Sequence, residues 1–99
     1  MTAIIHFNST TRTIIDGRTV GFCKLVIDRE TRQILGCHVV GERAVEITQV
    51  AAVAMSGNMR VDDLARVPLS FPTYAGVLGR VAATASRQLN LNISPVRIL

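Results

Sequence analysis

The sequence predicts an α+β fold, an antiparallel β-sheet with helices packed on one face. Three observations carry this. β-branched and aromatic residues crowd the first forty positions, Ala-rich helical spacing takes over after Gly41, and the best two strand segments are joined by a link too short for a parallel crossover. The 99 residues suit one domain. Their 48% hydrophobic content and mean hydropathy of +0.35 speak against disorder and suggest more apolar surface than a lone small domain needs.

Taken in order, Ala3 to Phe7 is a short apolar run read as a strand, and Thr13 to Ile15 is a second strand candidate, stopped by the turn dipeptide Asp16-Gly17. Phe22 to Ile27 is the best strand. Only Lys24 interrupts its apolar run, so both faces are expected to be largely buried. Asp28 to Arg32 is a polar link of hairpin length, and Gln33 to Val40 returns as the partner strand. Glu42 to Ser56 then places Ile47, Val50, Ala51, Ala54 and Met55 on one helical stripe, ended by Gly57-Asn58. Val61 to Ala65 reads as a helical turn with Asp62 and Asp63 near its start, where carboxylates suit the helix dipole, and Pro68 breaks it. The last helix, Tyr74 to Leu89, buries Val77, Leu78, Val81, Ala82, Ala85 and Leu89.

That last helix also carries a stripe of small residues, Gly76, Gly79, Ala83 and Ser86. Two glycines in a helix each cost about 1 kcal/mol against alanine. Something therefore approaches the backbone closely. A tight helix-to-sheet contact, a neighbouring subunit and a flat cofactor all fit.

The net charge of +4 is the balance of eleven scattered basic residues against seven acidic ones, with few aromatics to stack on bases, so a nucleic-acid surface is not favoured. No run of about 18 apolar residues could span a membrane, and the first ten residues lack a signal-peptide pattern. A cytoplasmic location is the expectation. His6, His38, Cys23 and Cys37 match no zinc spacing, so no metal is expected. His38 reads as structural. Cys23 and Cys37 read as buried thiols, and their equal parity leaves open a hairpin register that pairs them.

Three segments appear in a telling order: GFCKLVIDRETRQILGCHVVG over Gly21–Gly41, AVEITQVAAVAMSGNMRVDDLARV over Ala44–Val67, and SFPTYAGVLGRVAA over Ser70–Ala83. Together they resemble the C-terminal dimerisation (interface) domain of the pyridine nucleotide–disulfide oxidoreductases, the family of dihydrolipoamide dehydrogenase, glutathione reductase and mercuric reductase. The matched features are Gly-Phe-x-Lys, the hairpin, Ile-Leu-Gly-x-His-x-x-Gly, Glu-Ile, Asp-Leu-Ala and a Pro-Thr segment before the final helix. They run from near Arg18 to Gln88.

The resemblance implies a homodimer, with Ser70, Phe71, Pro72, Tyr74, Gly76, Gly79 and Ala83 at the two-fold interface. In a full-length parent it places Phe71, Pro72 and Thr73 near the FAD of the partner subunit, and it makes a cis Phe71-Pro72 bond the expected form. It also implies FAD and NAD(P) in that parent, although the glycine-rich dinucleotide motif and the family's redox cysteines are not found in these 99 residues. The chain is thus expected to be a single interface domain over 1–99, to bind no cofactor of its own and not to be catalytic alone.

The departures are informative. Phe71 stands where dithiol-handling members of the family have the acid–base His, and Gly76 stands where they have the Glu that orients it. Neither can carry a proton. A parent should therefore deliver flavin electrons to a metal ion, a quinone or another pyridine nucleotide. The alternative is a stand-alone small basic α+β binding module, with nucleic acid as its candidate ligand.

Overall fold

The computed structural model describes the backbone of residues 1–98 and the side chains of residues 1–90. In chain order it contains strand β1 (Thr2–His6), a 3-10 turn (Phe7–Ser9), helix α1 (Thr11–Asp16), strands β2 (Phe22–Ile27) and β3 (Ile34–Val40), and helices α2 (Ala44–Ser56), α3 (Val61–Ala65) and α4 (Gly76–Ile98). The strands form one antiparallel sheet in the order β1-β2-β3. Helix α2 packs on β3, α4 packs on β1, β2 and α3, and the core lies between these helices and one face of the sheet.

The hairpin link is ordered from within. The Asp28 carboxylate accepts the N–H groups of Glu30 and Thr31, and Arg32 takes a left-handed backbone with φ of 65°. The Arg32 carbonyl accepts the Val61 N–H at 2.8 Å, which ties the turn to the start of α3. Beside it, Gln33 forms an isolated bridge with Arg60.

Several expectations are corrected. Residues Thr13 to Ile15 are helical, not a strand. Thr13 is buried with its hydroxyl bonded to the Phe7 and Thr10 carbonyls, while Ile14 and Ile15 face outward. Arg12 and Asp16 pair one turn apart, and Gly17 closes α1 in a left-handed conformation, its N–H bonded to the Ile14 and Thr13 carbonyls. Strand β2 is not buried on both faces. Cys23, Leu25 and Ile27 are buried under the helices, but Phe22, Lys24 and Val26 are half-buried, because helices cover one side only. Cys23 pairs with Val39 and Cys37 with Leu25, so the two thiols are diagonal neighbours rather than partners. Helix α2 begins at Ala44 rather than Glu42, because Arg43 adopts φ of 62° and turns the chain. Helix α4 begins at Gly76 rather than Tyr74 and continues past Leu89 to Ile98.

Two glycines are set by close approach. Gly21 and Gly41 have φ of 137° and 131°. A Cβ on Gly21 would lie 2.1 Å from the Val40 carbonyl oxygen, and one on Gly41 would lie 2.5 Å from the Phe7 ring. The ends of β2 and β3 thereby close over Phe7, whose N–H donates to the Gly21 carbonyl at 2.9 Å. Gly41→Ala should therefore destabilise the fold by about 2 kcal/mol or more, through backbone strain and the ring contact. Urea denaturation checks this, and a loss under about 0.5 kcal/mol, typical of a neutral surface change, would contradict it.

Candidate functional site

The segment before α4 is the most distinctive stretch of surface. The Phe71-Pro72 bond is cis, as expected. Thr73 organises the turn: its hydroxyl donates to the Ser70 carbonyl at 2.6 Å and accepts the Gly76 N–H at 3.2 Å, so it satisfies one free donor at the start of α4. Phe71 remains 79% exposed. This is a high value for a large apolar ring on a turn held by side-chain hydrogen bonds.

Tyr74 fastens the same turn to α1. Its hydroxyl donates to Asp16 Oδ2 at 2.7 Å, and Arg12 grips that carboxylate with two bonds, Nε to Oδ2 at 3.1 Å and Nη2 to Oδ1 at 2.9 Å. The hydrogen bonds from Arg12 and then Tyr74 hold the Asp16 carboxyl below its ordinary range. Desolvation, followed by the bond to Asp16, pushes the Tyr74 phenol up. Tyr74 is thus a hydrogen-bond donor near neutral pH, not a proton shuttle. Arg12, Asp16, Arg43, Pro72, Thr73 and Tyr74 line an open cleft of about 260 Å³ here.

Other sequence-singled residues lie elsewhere. Ser70 and Ala83 are exposed, and Pro72, Thr73, Tyr74, Gly76 and Gly79 are half-buried. The small-residue stripe divides. A Cβ on Gly79 would meet Leu69 Cδ1 at 3.3 Å, so that glycine accommodates a contact within the domain. Ser86 donates to the Asp62 carboxylate, also within the domain. Ala83 faces solvent. A Cβ on Gly76 would find ordinary contacts, 3.5 Å to the Thr73 hydroxyl and 3.7 Å to the Ser70 carbonyl, so packing does not force a glycine there. His6 and His38 lie on the open face of the sheet, His6 edge-on to Phe22 and His38 opposite Lys24. Among the described residues no three His, Cys, Asp or Glu side chains gather as a metal site, and no helix is long and apolar enough to cross a membrane.

Sequence reasoning placed Asp62 only at a helix start. The structure shows it as a buried hub: Arg32 Nη1 lies 2.9 Å from Oδ1, Ser86 donates to the same oxygen, and Arg60 Nη2 stands 3.7 Å from Oδ2. Burial opposes its charge, but the Ser86 and Arg32 hydrogen bonds and the Arg32 and Arg60 charges prevail and hold its pKa below the ordinary value. Its hydrogen-bond partners are 24 and 30 residues away, so no local spacing announces it.

The family model for the pyridine nucleotide-disulphide oxidoreductase dimerisation domain matches residues 2–82. The chain belongs to this family. A mercuric reductase of Lysinibacillus sphaericus is 31% identical over 88 residues, covering 89% of this chain and 16% of that protein. A dihydrolipoyl dehydrogenase of Cupriavidus necator is 34% identical over 86 residues, covering 86% of this chain and 18% of that protein. Among solved structures, LpdA from Mycobacterium tuberculosis superposes with a TM-score of 0.81 at 25% identity, over 86% of this chain and 18% of LpdA. The flavoprotein disulfide reductase RclA from Escherichia coli, at 16% identity and a TM-score of 0.79, shares the fold over 84% of this chain and 19% of its own. The chain therefore spans less than a fifth of the length of these relatives. As a dimerisation domain it fits the leading reading of the sequence, and the stand-alone nucleic-acid module is not favoured.

Proposed function

We propose that this dimerisation domain self-associates about a two-fold axis through the Ser70–Thr73 turn and the face of α4 that carries Gly76 and Ala83. Exposed Phe71 on its hydrogen-bonded turn is the observation that carries the reading, since a partner surface would bury it. Within a longer flavoprotein, the same turn would meet the FAD of the partner subunit. The three antiparallel strands supply no parallel βαβ turn for a dinucleotide pyrophosphate, so the described residues do not fit a complete FAD. The chain alone should purify colourless. With Phe71 and Gly76 in place of a proton-carrying pair, such a parent would pass electrons from FAD and NAD(P)H to a metal ion, a quinone or a pyridine nucleotide.

Phe71→Asp and Ala83→Glu place charges on the proposed surface without touching the core. Each should weaken association by about tenfold or more, the effect of desolvating or repelling a charge at an interface core. Val45→Asp, on the 77% exposed outer face of α2, serves as the control and should leave association unchanged. Light scattering coupled to gel filtration reads all three. Equal weakening by the control, or none by Phe71→Asp and Ala83→Glu, would move the interface elsewhere. Gly79→Leu is a poorer probe because its side chain would first meet Leu69.

A further inference from the structure

Residues 70–75 lead into α4 and carry the exposed Phe71. Thr73 ties this turn to Ser70 within it and to Gly76 at the helix start. Among the described residues, one hydrogen bond joins the turn to a distant part of the fold, from the Tyr74 hydroxyl to Asp16 Oδ2 at 2.7 Å. Arg12 fixes that acceptor by holding both carboxylate oxygens, at 3.1 and 2.9 Å. Helix α1 is anchored in turn: the buried Thr13 hydroxyl bonds to the Phe7 and Thr10 carbonyls, and the Arg18 N–H donates to the Thr13 carbonyl at 2.8 Å. A continuous chain of contacts therefore runs from buried Phe7, through α1, to the turn that bears Phe71. Asp16 also breaks a local rule. It is the last residue of α1, where the helix dipole disfavours a carboxylate. Side-chain exposures of 38% for Arg12 and 30% for Asp16 leave their pair too open to contribute much to folding. A broken local rule with no matching gain in stability marks a functional position.

We infer, resting on the two-fold interface through Phe71 and Ala83, that Tyr74 is the positioning residue of that interface: held by Asp16 and Arg12, it fixes the Ser70–Thr73 turn in the form that presents Phe71 to a second copy of the chain. The two-point Arg12–Asp16 pair gives the Tyr74 hydroxyl a charged acceptor of fixed geometry. A turn already set in its bound form avoids an ordering cost on association. For one immobilised side chain that cost corresponds to roughly a 2- to 12-fold change in affinity. The benefit falls on the dimer, because the latch lies at the surface and the core packs without it.

Tyr74→Phe removes the donor and keeps the ring, and Asp16→Ala removes the acceptor. In sedimentation equilibrium each should raise the dimer dissociation constant roughly 2- to 12-fold. The double variant should lose no more than the larger single loss, because both changes remove one contact. Amide hydrogen exchange of the dilute monomer supplies a readout of where the chain loosens. In Tyr74→Phe it should quicken at Gly76, whose N–H bonds to Thr73, and stay unchanged at buried Leu25 and Val81. Additive losses in the double variant would mean separate contacts, and faster exchange at Leu25 and Val81 would mean a general loss of stability; either overturns the positioning role. An unchanged dissociation constant for Tyr74→Phe, alongside a weakened Phe71→Asp, would overturn it while leaving the interface in place. If Phe71→Asp also associates like the parent, the interface itself fails, and the positioning role with it.

Discussion

Truncating Phe7 to alanine should lower the unfolding free energy by ~3–5 kcal/mol, the range for removing a large buried aromatic ring. Phe7 is fully buried, directly after β1, and its ring occupies the space that the missing Cβ of Gly41 leaves open. Its N–H is also bonded to Gly21, so the ring and the backbone lock the ends of three strands together. A domain of this size has a total stability of about 5–15 kcal/mol. The variant should therefore melt about 12–40 °C lower, given ~4–8 °C per kcal/mol for small domains. Urea denaturation with an unchanged slope is the measurement. A loss under about 1 kcal/mol, far below the range for a buried ring, would show that Phe7 does not anchor the strand ends.

Asp62→Asn should be the next most damaging change, at about 2–4 kcal/mol, because it leaves the Arg32 guanidinium partly buried without its counter-charge. Side-chain exposures of 18% for Arg32 and 11% for Asp62 place the pair at the edge of the interior, which favours the lower half of that range. The pH profile supplies a second signature. The folded-state pKa of Asp62 is depressed, so its contribution is fully present above the unfolded value near 3.8 and is lost as pH falls from there through the lower folded value. The difference in stability between parent and variant should shrink over that acid window. Both proteins should still weaken in acid, since Asp16 and Asp28 also titrate below their ordinary values in the fold. A parent–variant difference that stays constant from neutral pH down to pH ~2 would contradict the charge-based account.

The hairpin and helices α2 to α4 were legible because their signals are local. A short polar link between apolar runs specifies an antiparallel pair, and Ile47, Ala51 and Ala54 or Val77, Val81 and Ala85 repeat at helical spacing and are all buried. Helix α1 was misread for a physical reason. Thr13, Ile14 and Ile15 are β-branched and favour strands, but a six-residue helix is decided by its ends. Its i,i+4 pair of Arg12 and Asp16 and its closing Gly17 were present in the sequence and outweigh propensity. The thiol register was out of reach: the irregularity at Val26 and Ile27, where Ile27 faces Ile34 and Val26 faces Gly36, depends on packing and has no local signature. At the candidate site, the turn before α4 and its cis proline were legible from the resemblance. The Tyr74–Asp16–Arg12 latch was not, since Tyr74 and Asp16 are 58 residues apart. The glycine stripe held two meanings at once, with Gly79 serving Leu69 and Ala83 left open to solvent.

Self-association is the central claim, and sedimentation equilibrium of the unmodified chain over a wide concentration range tests it most directly. The weight-average mass should rise from 10.7 kDa at low concentration toward twice that value, fitted by a single monomer–dimer equilibrium. A mass that stays at 10.7 kDa up to the highest concentration would contradict it.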